Sequence, residues 1–429
     1  MTESFLIKGG NKLRGNARIS GSKNAALKLI AATLLTDKKC VLTNLPNLKD
    51  IEVMLEILRS MGAKIKFEGK NQISVVNKNI NPKYLNTELI SKMRGSVVIM
   101  GPLLARFGRV SLPYPGGDKI GKRPLDFHFN IFRDLGFEVK ENKKTFTIKK
   151  PIKLPDIRKV ILDGFSVTGT ETALMWAAGQ QRQIEFSIVA EEPHIQNLVE
   201  MLRGMGAKIK VEPRHRIIIK GNLKPKGVKQ KIIYDYIEAG TFVVAVLVLG
   251  GDVKISNFPV QDLELFIHRL KRVGANIEIL NKNTIRVKTS PNLKAFRIDV
   301  RIHPGIAADL QSPLGVLATQ CHGTSEIFDT LYEGRLNYLK ELKRMGASVK
   351  ILDVHRALVT GPTKLKGIKF NKEDDIRGGM SLIIAGLAAS GETLIKDAYQ
   401  VDRGYERIDE KLRKLGANID RVSSTSVMR

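Results

Sequence analysis

The chain has 429 residues, 43% of them hydrophobic and 27% charged, a composition that excludes a disordered chain and suits a globular protein of two or three domains. Lys and Arg number 71 against 43 Asp and Glu, a formal +28; the cations are spread along the chain and aromatic residues make up only 6%, so no stacking platform for nucleic acid is visible. Such a field also attracts small phosphorylated molecules. Cys40 and Cys321, with no CxxC and no Cys/His pairing at ligand spacing, argue against a disulfide framework and a structural zinc site and fit a reducing compartment.

The opening MTESFLIKGGNKLRG lacks the basic-then-apolar order of a signal peptide, and the longest apolar run, TFVVAVLVLGG, is too short to span a bilayer. A cytoplasmic protein is expected. In ISGSKNAALKLIAATLL, Ser22 can cap a helix that carries Leu27, Ile30, Ala31 and Leu34 on one face. Lys23 and Asn24 then fall in its first turn, where a cation opposes the helix dipole. Lys23 therefore reads either as an exposed lysine or as a ligand for an anion.

Ile51, Met54, Leu55 and Leu58 follow at i, i+3, i+4, i+7, predicting an amphipathic helix that ends at Gly62 and runs into an alternating strand, KIKF. The stretch PYPGGDKIGKRPLDFH, residues 113–128, sets Asp118 in a Gly-rich loop. A helix is expected to begin there at Arg123 and Pro124, with Leu125, Phe127 and Ile131 on one face. The amphipathic pattern recurs at Ile195, Leu198, Val199 and Leu202, and again at Leu263, Phe266, Ile267 and Leu270.

These helices belong to an internal repeat. EILRSMGAKIKF, NIFRDLGFEVKE, EMLRGMGAKIKV, HRLKRVGANIEI, KELKRMGASVKI and EKLRKLGANIDR end their helices at Gly62, Gly136, Gly206, Gly274, Gly346 and Gly416, spaced by 74, 70, 68, 72 and 70 residues. Glycine supplies the left-handed residue that closes a helix, and Arg or Lys in the last turn suits the dipole. Upstream of each lies a second helix rich in small residues, then a strand. Six such units predict two compact lobes of three, with a cleft for ligands between them.

Positions that break the repeat are candidates for chemistry. Arg94, Arg123, Arg335, Arg377 and Arg403 stand in Gly-rich or turn contexts, interleaved with Asp118, Asp309, Glu333 and Asp375. Each alone reads as a surface charge; together they suit phosphate and carboxylate groups, which guanidinium binds bidentately. The seven histidines, His128, His194, His215, His268, His303, His322 and His355, show no HxxxH spacing, so no metal is expected, and there is no P-loop or dinucleotide fingerprint.

ISGSKNAAL, KMRGS, GPLLARFG, PGGDKIGKRPLD, IEAGTF, DIRGG and DRGYERI, in this order across almost the whole chain, resemble the UDP-N-acetylglucosamine 1-carboxyvinyltransferases, the enolpyruvyl transferases that commit UDP-N-acetylglucosamine to peptidoglycan synthesis. The related 5-enolpyruvylshikimate-3-phosphate synthases share the architecture but end the first motif in Lys-Ser, so Asn24 favours the UDP-sugar enzymes. The resemblance implies a two-domain inside-out α/β barrel of six units of about 70 residues, three per domain. One lobe is expected at residues 1–22 and 233–429, the other at 23–232 with a lid loop at 111–124.

Carried over by motif, Lys23, Arg123 and Arg403 would hold the phosphate of phosphoenolpyruvate, with Asn24 beside them and Arg335 and Arg377 near its carboxylate. Asn24, Asp309 and Leu331 would contact the sugar. Arg94, Arg123, Pro124, Leu125, Asp126, Phe127, Ser166, Val167 and Thr168 would line the uridine diphosphate site. Asp235, Glu192 and Glu238 lie in similar segments without an assigned role. Catalysis would fall to Asp118, Asp309, Lys23 and Arg403, with Asp309 as base for the sugar 3-hydroxyl and Asp118 as an acid near the enol or an aid to product release.

Asp118 stands where most of the family has a cysteine, which implies insensitivity to fosfomycin, an alkylating agent of that thiol. The lid looks about two residues longer than usual, through Tyr114 and Pro115, and Thr168 replaces a usual glycine. No cofactor, nucleic-acid partner or membrane is implied, and a monomer or weak oligomer is expected. The alternatives are the shikimate-pathway transferase, a basic nucleic-acid-binding or RNA-end-processing protein, and an inactive paralogue.

Overall fold

The computed structural model describes residues 3–370 and 374–423. By contacts between backbones the chain divides into two units: residues 1–20, 118–122 and 234–429 form unit 1, and residues 21–117 and 123–233 form unit 2. Each holds three small sheets.

Five of the six sheets repeat one plan of four strands, with one parallel and two antiparallel pairings. Around Cys40–Thr43, for example, Lys229–Lys231 pairs in parallel on one side and Gln72–Val76 antiparallel on the other, with Lys64–Phe67 outermost. The sixth sheet, Arg109–Pro113, Thr145–Lys149 and Glu138–Glu141, lacks the parallel strand. Unit 1 is discontinuous because the N-terminal strands complete its sheets: Glu3–Lys8 lies between Glu392–Lys396 and Asn418–Ser423, and Leu13–Arg18 pairs with Gly251–Ser256.

Every repeat helix ends as the sequence predicts, since Gly62, Gly136, Gly206, Gly274, Gly346 and Gly416 all have φ between 83° and 105°. The four-residue stripes on the helices Lys49–Ser60 and Pro193–Gly204 are buried throughout. The strand after each glycine is always the outermost of its sheet. That position corrects the expected alternation: Ile65 is only half-buried and Phe67 is 62% exposed, because an edge strand beyond the helix layer has little to pack on.

Inside each unit the small-residue helices pack on one another. In unit 1 these are Tyr236–Leu249, Gln311–Ala318 and Ile376–Ala388; in unit 2, Lys23–Ala32, Val167–Ala178 and Met100–Phe107, the last entered through the 3-10 turn Arg94–Ile99. Small side chains let the backbones approach: a Cβ on Gly101 would lie 3.2 Å from the Met175 Cβ, and one on Gly240 would press into Leu310.

Two further expectations change. Ser111–Pro113 is strand, so the loop expected at 111–124 starts at Tyr114. The helix expected from Arg123 begins at Asp126, and its buried face is Leu125, His128, Phe129 and Phe132 together with Ile131, while Phe127 is only half-buried.

The core of unit 2 also encloses charge. Glu171 is fully buried, with the Lys28 ammonium 3.6 Å and His194 Nε2 3.5 Å away. Burial pushes its carboxyl up to about 8 against the pull of Lys28.

Two outcomes follow. Gly346→Ala meets only the Lys364 carbonyl at 3.8 Å, so it should cost about 1 kcal/mol for the left-handed backbone alone, while Gly62→Ala, facing the Asn79 carbonyl at 2.8 Å, should cost more; urea titration of both variants checks the order. In the unfolded chain Glu171 releases its proton near 4.3, in the folded chain near 8. The unfolded state therefore binds fewer protons between those values, and Glu171 lowers stability as pH rises through that window. Glu171→Gln should flatten the Tm profile between about pH 5 and 8; an unchanged slope would assign it to other groups.

Candidate active site

In unit 1 the candidate residues gather at the N-terminal ends of the inner helices. Asp309, in the 3-10 turn before Gln311–Ala318, bridges two arginines: its Oδ1 accepts from Arg335 Nη2 at 2.8 Å and its Oδ2 from Arg377 Nε at 3.0 Å. Asp375 caps Ile376–Ala388 by accepting from the Arg377 and Gly378 amides, and lies 3.6 Å from Arg335 Nη1.

Arg377 is therefore in the first turn of a helix and 2% exposed, and Arg335 is 4% exposed, so neither is the surface charge that a single arginine suggests. Arg403 is also buried, at the end of the helical turn Tyr399–Asp402. Burial lowers a guanidinium's pKa, yet Asp375 and Asp309 hold that of Arg335 above its ordinary value. Arg377 is likewise raised against burial, by Tyr405 and Asp309. Burial in turn raises the Asp375 carboxyl, opposed by Arg335.

The Arg377 guanidinium lies 4.9 Å from the Tyr405 ring centroid, and the Tyr405 hydroxyl is 3.0 Å from Thr241 Oγ1. Its Nη1 and Nη2 are buried and, among the described residues, have no hydrogen-bond partner; the same is true of Arg335 Nε. Buried orphan donors are costly unless something accepts from them. Asp118 Oδ1 accepts from Arg403 Nη1 at 2.6 Å, and Gln400 Oε1 accepts from the same nitrogen at 3.0 Å.

Leu331 is 41% exposed on a turn shaped by Asp329, whose Oδ1 accepts from the Leu331 and Tyr332 amides at 2.9 and 3.0 Å. Asp235 caps Tyr236–Leu249 through the Ile237 and Glu238 amides, and Glu238 pairs with Lys411.

In unit 2, Ser22 caps its helix as predicted, through the Ala25 amide. Lys23 is buried, its ammonium 3.3 Å from Asp50 Oδ2, and Asn24 beside it is half-buried. Leu27 of this helix lies against Gly95, next to Arg94. Arg94 Nη2 donates to the Pro124 carbonyl at 3.1 Å, and a Cβ on Gly117 would lie 3.0 Å from the Arg94 amide and 3.2 Å from Arg123 Nη2.

Phe127 packs against Gly164, and Ser166 caps Val167–Ala178 by accepting from the Gly169 amide. Thr168 Oγ1 is 3.0 Å from His128 Nε2, and burial together with the Arg94 charge pushes His128 down to about 3, so this histidine is neutral. Arg94, Arg123 to Phe127 and Ser166 to Thr168 are thus one cluster, with Asp126 exposed on its rim and Val167 half-buried. Glu192 is half-buried at the start of Pro193–Gly204, its carboxyl raised by the loss of water around it.

Sequence reasoning missed Asp50, Asp329, Tyr405 and Thr241. Asp50 stands 27 residues from Lys23, and Tyr405 164 residues from Thr241, so no local pattern joins them. Among the described residues no group of three or more His, Cys, Asp or Glu could hold a metal ion, and no helix is long and apolar enough to cross a membrane.

The model of the EPSP synthase (3-phosphoshikimate 1-carboxyvinyltransferase) family matches residues 7–412. A UDP-N-acetylglucosamine 1-carboxyvinyltransferase of Methylacidiphilum infernorum is 39% identical over 98% of this chain and 99% of its own. One from Halothermothrix orenii is 40% identical over 97% and 99%. Among solved structures, the enolpyruvyl transferase NikO of Streptomyces tendae superposes with a TM-score of 0.87 at 22% identity, covering 99% of both chains. The EPSP synthase of Acinetobacter baumannii gives 0.73 at 20% identity, covering 98% of this chain and 100% of its own. These structures share the six-unit, two-domain inside-out α/β fold. By a family match over nearly its whole length and by relatives of this identity, the chain belongs to the EPSP synthase family of carboxyvinyltransferases, in the branch of the UDP-N-acetylglucosamine 1-carboxyvinyltransferases.

Proposed function

We propose that this enzyme transfers the enolpyruvyl group of phosphoenolpyruvate to the 3-hydroxyl of UDP-N-acetylglucosamine, releasing phosphate, in the first committed step of peptidoglycan precursor synthesis. The relatives' names support the acceptor. The observation that carries the chemistry is the pair of buried guanidiniums, Arg335 and Arg377, joined by Asp309 and keeping orphan N–H donors. A substrate carboxylate supplies the acceptor oxygens such donors lack.

On this reading the methylene carbon of phosphoenolpyruvate gains a proton while the sugar oxygen bonds to C2. The tetrahedral ketal then loses phosphate and a methyl proton to restore the vinyl group. Asp309, set between two cations, receives the 3-hydroxyl; Asp118 is the acid near the enol; Arg403 in unit 1, and Lys23 and Arg123 in unit 2, are assigned to phosphate groups. Asn24 and Leu331 are assigned to the sugar, and Arg94, Pro124 to Phe127 and Ser166 to Thr168 to the uridine diphosphate. Cations fixed before the reaction stabilise shifting negative charge better than reorienting water does. We place the enzyme in the cytoplasm, and read the two units as the two lobes of the family.

The shikimate-pathway reading rests on the name of the family model, and one assay separates the two. Phosphate release from phosphoenolpyruvate should require UDP-N-acetylglucosamine and should not occur with shikimate 3-phosphate; the reverse pattern would exchange the acceptors. Arg377→Lys replaces a fork of donors by a point charge, and should lower kcat/KM for phosphoenolpyruvate about 10²-fold.

The carboxylate of Asp118 is a weaker nucleophile toward an epoxide than a thiolate is. The wild type should therefore keep its activity in fosfomycin, while Asp118→Cys should lose it with time and gain the mass of one adduct. Rapid inactivation of the wild type would refute this.

A further inference from the structure

The residues Asp118–Lys122 group by contact with unit 1, although the chain on either side of them belongs to unit 2. Four attachments hold this short segment. Asp118 pairs with Arg403, and Lys119 Nζ lies 2.8 Å from Asp374 Oδ2. The Ile120 side chain is buried and its carbonyl accepts from the Gly334 amide at 2.9 Å. The Lys122 amide donates to Glu333 Oε1 at 2.7 Å.

The last two attachments have a steric counterpart. A Cβ on Gly334 would lie 2.8 Å from the Ile120 carbonyl carbon, 3.0 Å from its oxygen and 3.1 Å from the Gly121 nitrogen, which are backbone atoms that cannot swing aside. On the other side, a Cβ on Gly121 would run into the Glu333 carboxylate. Two backbones meet here because both residues lack a side chain. Gly334 does not need glycine for its own conformation, since it is not among the positive-φ residues. The space it leaves is filled by the segment.

We infer that Gly334 and Glu333 are positioning residues: they form a seat for the backbone of Ile120–Lys122, and the seated segment holds Asp118 on Arg403. The inference rests on the proposed function for the roles given to Asp118, Leu331 and Arg335. The seat also ties the segment to the turn that carries Leu331 and Arg335, which Asp329 shapes from below. One short turn thus sets a sugar contact, a carboxylate contact and the place of the acid. A displacement of about 1 Å at such a point costs on the order of 10²-fold in rate.

Gly334→Val is compatible with the backbone of the turn and incompatible with the seated segment, so the protein should fold while the segment is displaced. Limited trypsin digestion of the full chain, read by mass spectrometry, reports on this at Lys119 and Lys122; Arg123 precedes Pro124 and is a poor site. In the wild type those two bonds should be cut slowly, and in Gly334→Val at least about tenfold faster with Tm unchanged, because a seated backbone cannot enter the protease. The kcat of Gly334→Val should fall about 10²-fold with a smaller change in KM for UDP-N-acetylglucosamine. Glu333→Gln still offers an oxygen to the Lys122 amide and should keep the protection that Glu333→Ala loses.

Equal cleavage of wild type and Gly334→Val overturns the seat. Faster cleavage with undiminished kcat overturns the positioning of Asp118. A wild type that releases no phosphate with either acceptor removes the proposed reaction, and the cleavage contrast alone then decides the seat.

Discussion

Two guanidinium groups, Arg335 and Arg377, lie inside unit 1 at the level where its inner helices begin, and the carboxylates of Asp309 and Asp375 beside them offset the cost of burying their charge. Removing a charge from water costs several kcal/mol, and attraction offsets this only when partners are close and the remaining donors are satisfied. Here the carboxylates meet the first condition. The second is met incompletely, since the outer nitrogens of Arg377 and the Nε of Arg335 are orphaned among the described residues. The arrangement is stable enough to fold and unsaturated enough to bind, which is what preorganisation for an anion requires.

The repeat explains how so much charge reaches one level of each unit. An inner helix of small residues can be buried on all sides, and its N-terminus then points amide groups out of the core. Ser22, Ser166, Asp235 and Asp375 each cap such a helix with a side-chain oxygen. The residues just after the caps, Lys23, Asn24, Thr168 and Arg377, are carried to the same ends. The outer helix, its glycine and its edge strand repeat with little change because they only enclose the core. Chemistry diverges at the caps while packing is conserved between copies, and a sequence with six similar glycines can still present six different helix ends.

What the sequence disclosed is what is local. A glycine after an amphipathic stripe must close its helix, so all six could be placed, and Ser22 before an apolar run could be recognised as a cap. The candidate arginines were visible from their turn contexts, and the motif resemblance named the rest. Non-local facts stayed hidden. Nothing in KMRGS or DIRGG tells that Arg94 is half-buried and Arg377 fully so, or that Asp309, 68 residues away, lies against the latter. The pairing of Lys23 with Asp50 and the stacking of Arg377 on Tyr405 depend on how repeats pack, and the edge position of KIKF depends on a sheet whose outer parallel strand arrives from residues 229–231. The helix starts at Asp126 and not at Arg123, a boundary that the Pro124 signal alone does not fix.

The lid carboxylate shows how one substitution can join two jobs. A neutral thiol at position 118 would make no ion pair, so a segment carrying it would depend for its place on backbone contacts alone. Asp118 adds a charged attachment to Arg403, one of the residues assigned to phosphate. On the proposed reading the two anions compete: a phosphate brings more charge and more acceptor oxygens to the same guanidinium than a carboxylate does. A phosphate that engages Arg403 would draw on the guanidinium that Asp118 also uses, while the backbone contacts at Glu333 and Gly334 would still hold the segment in place.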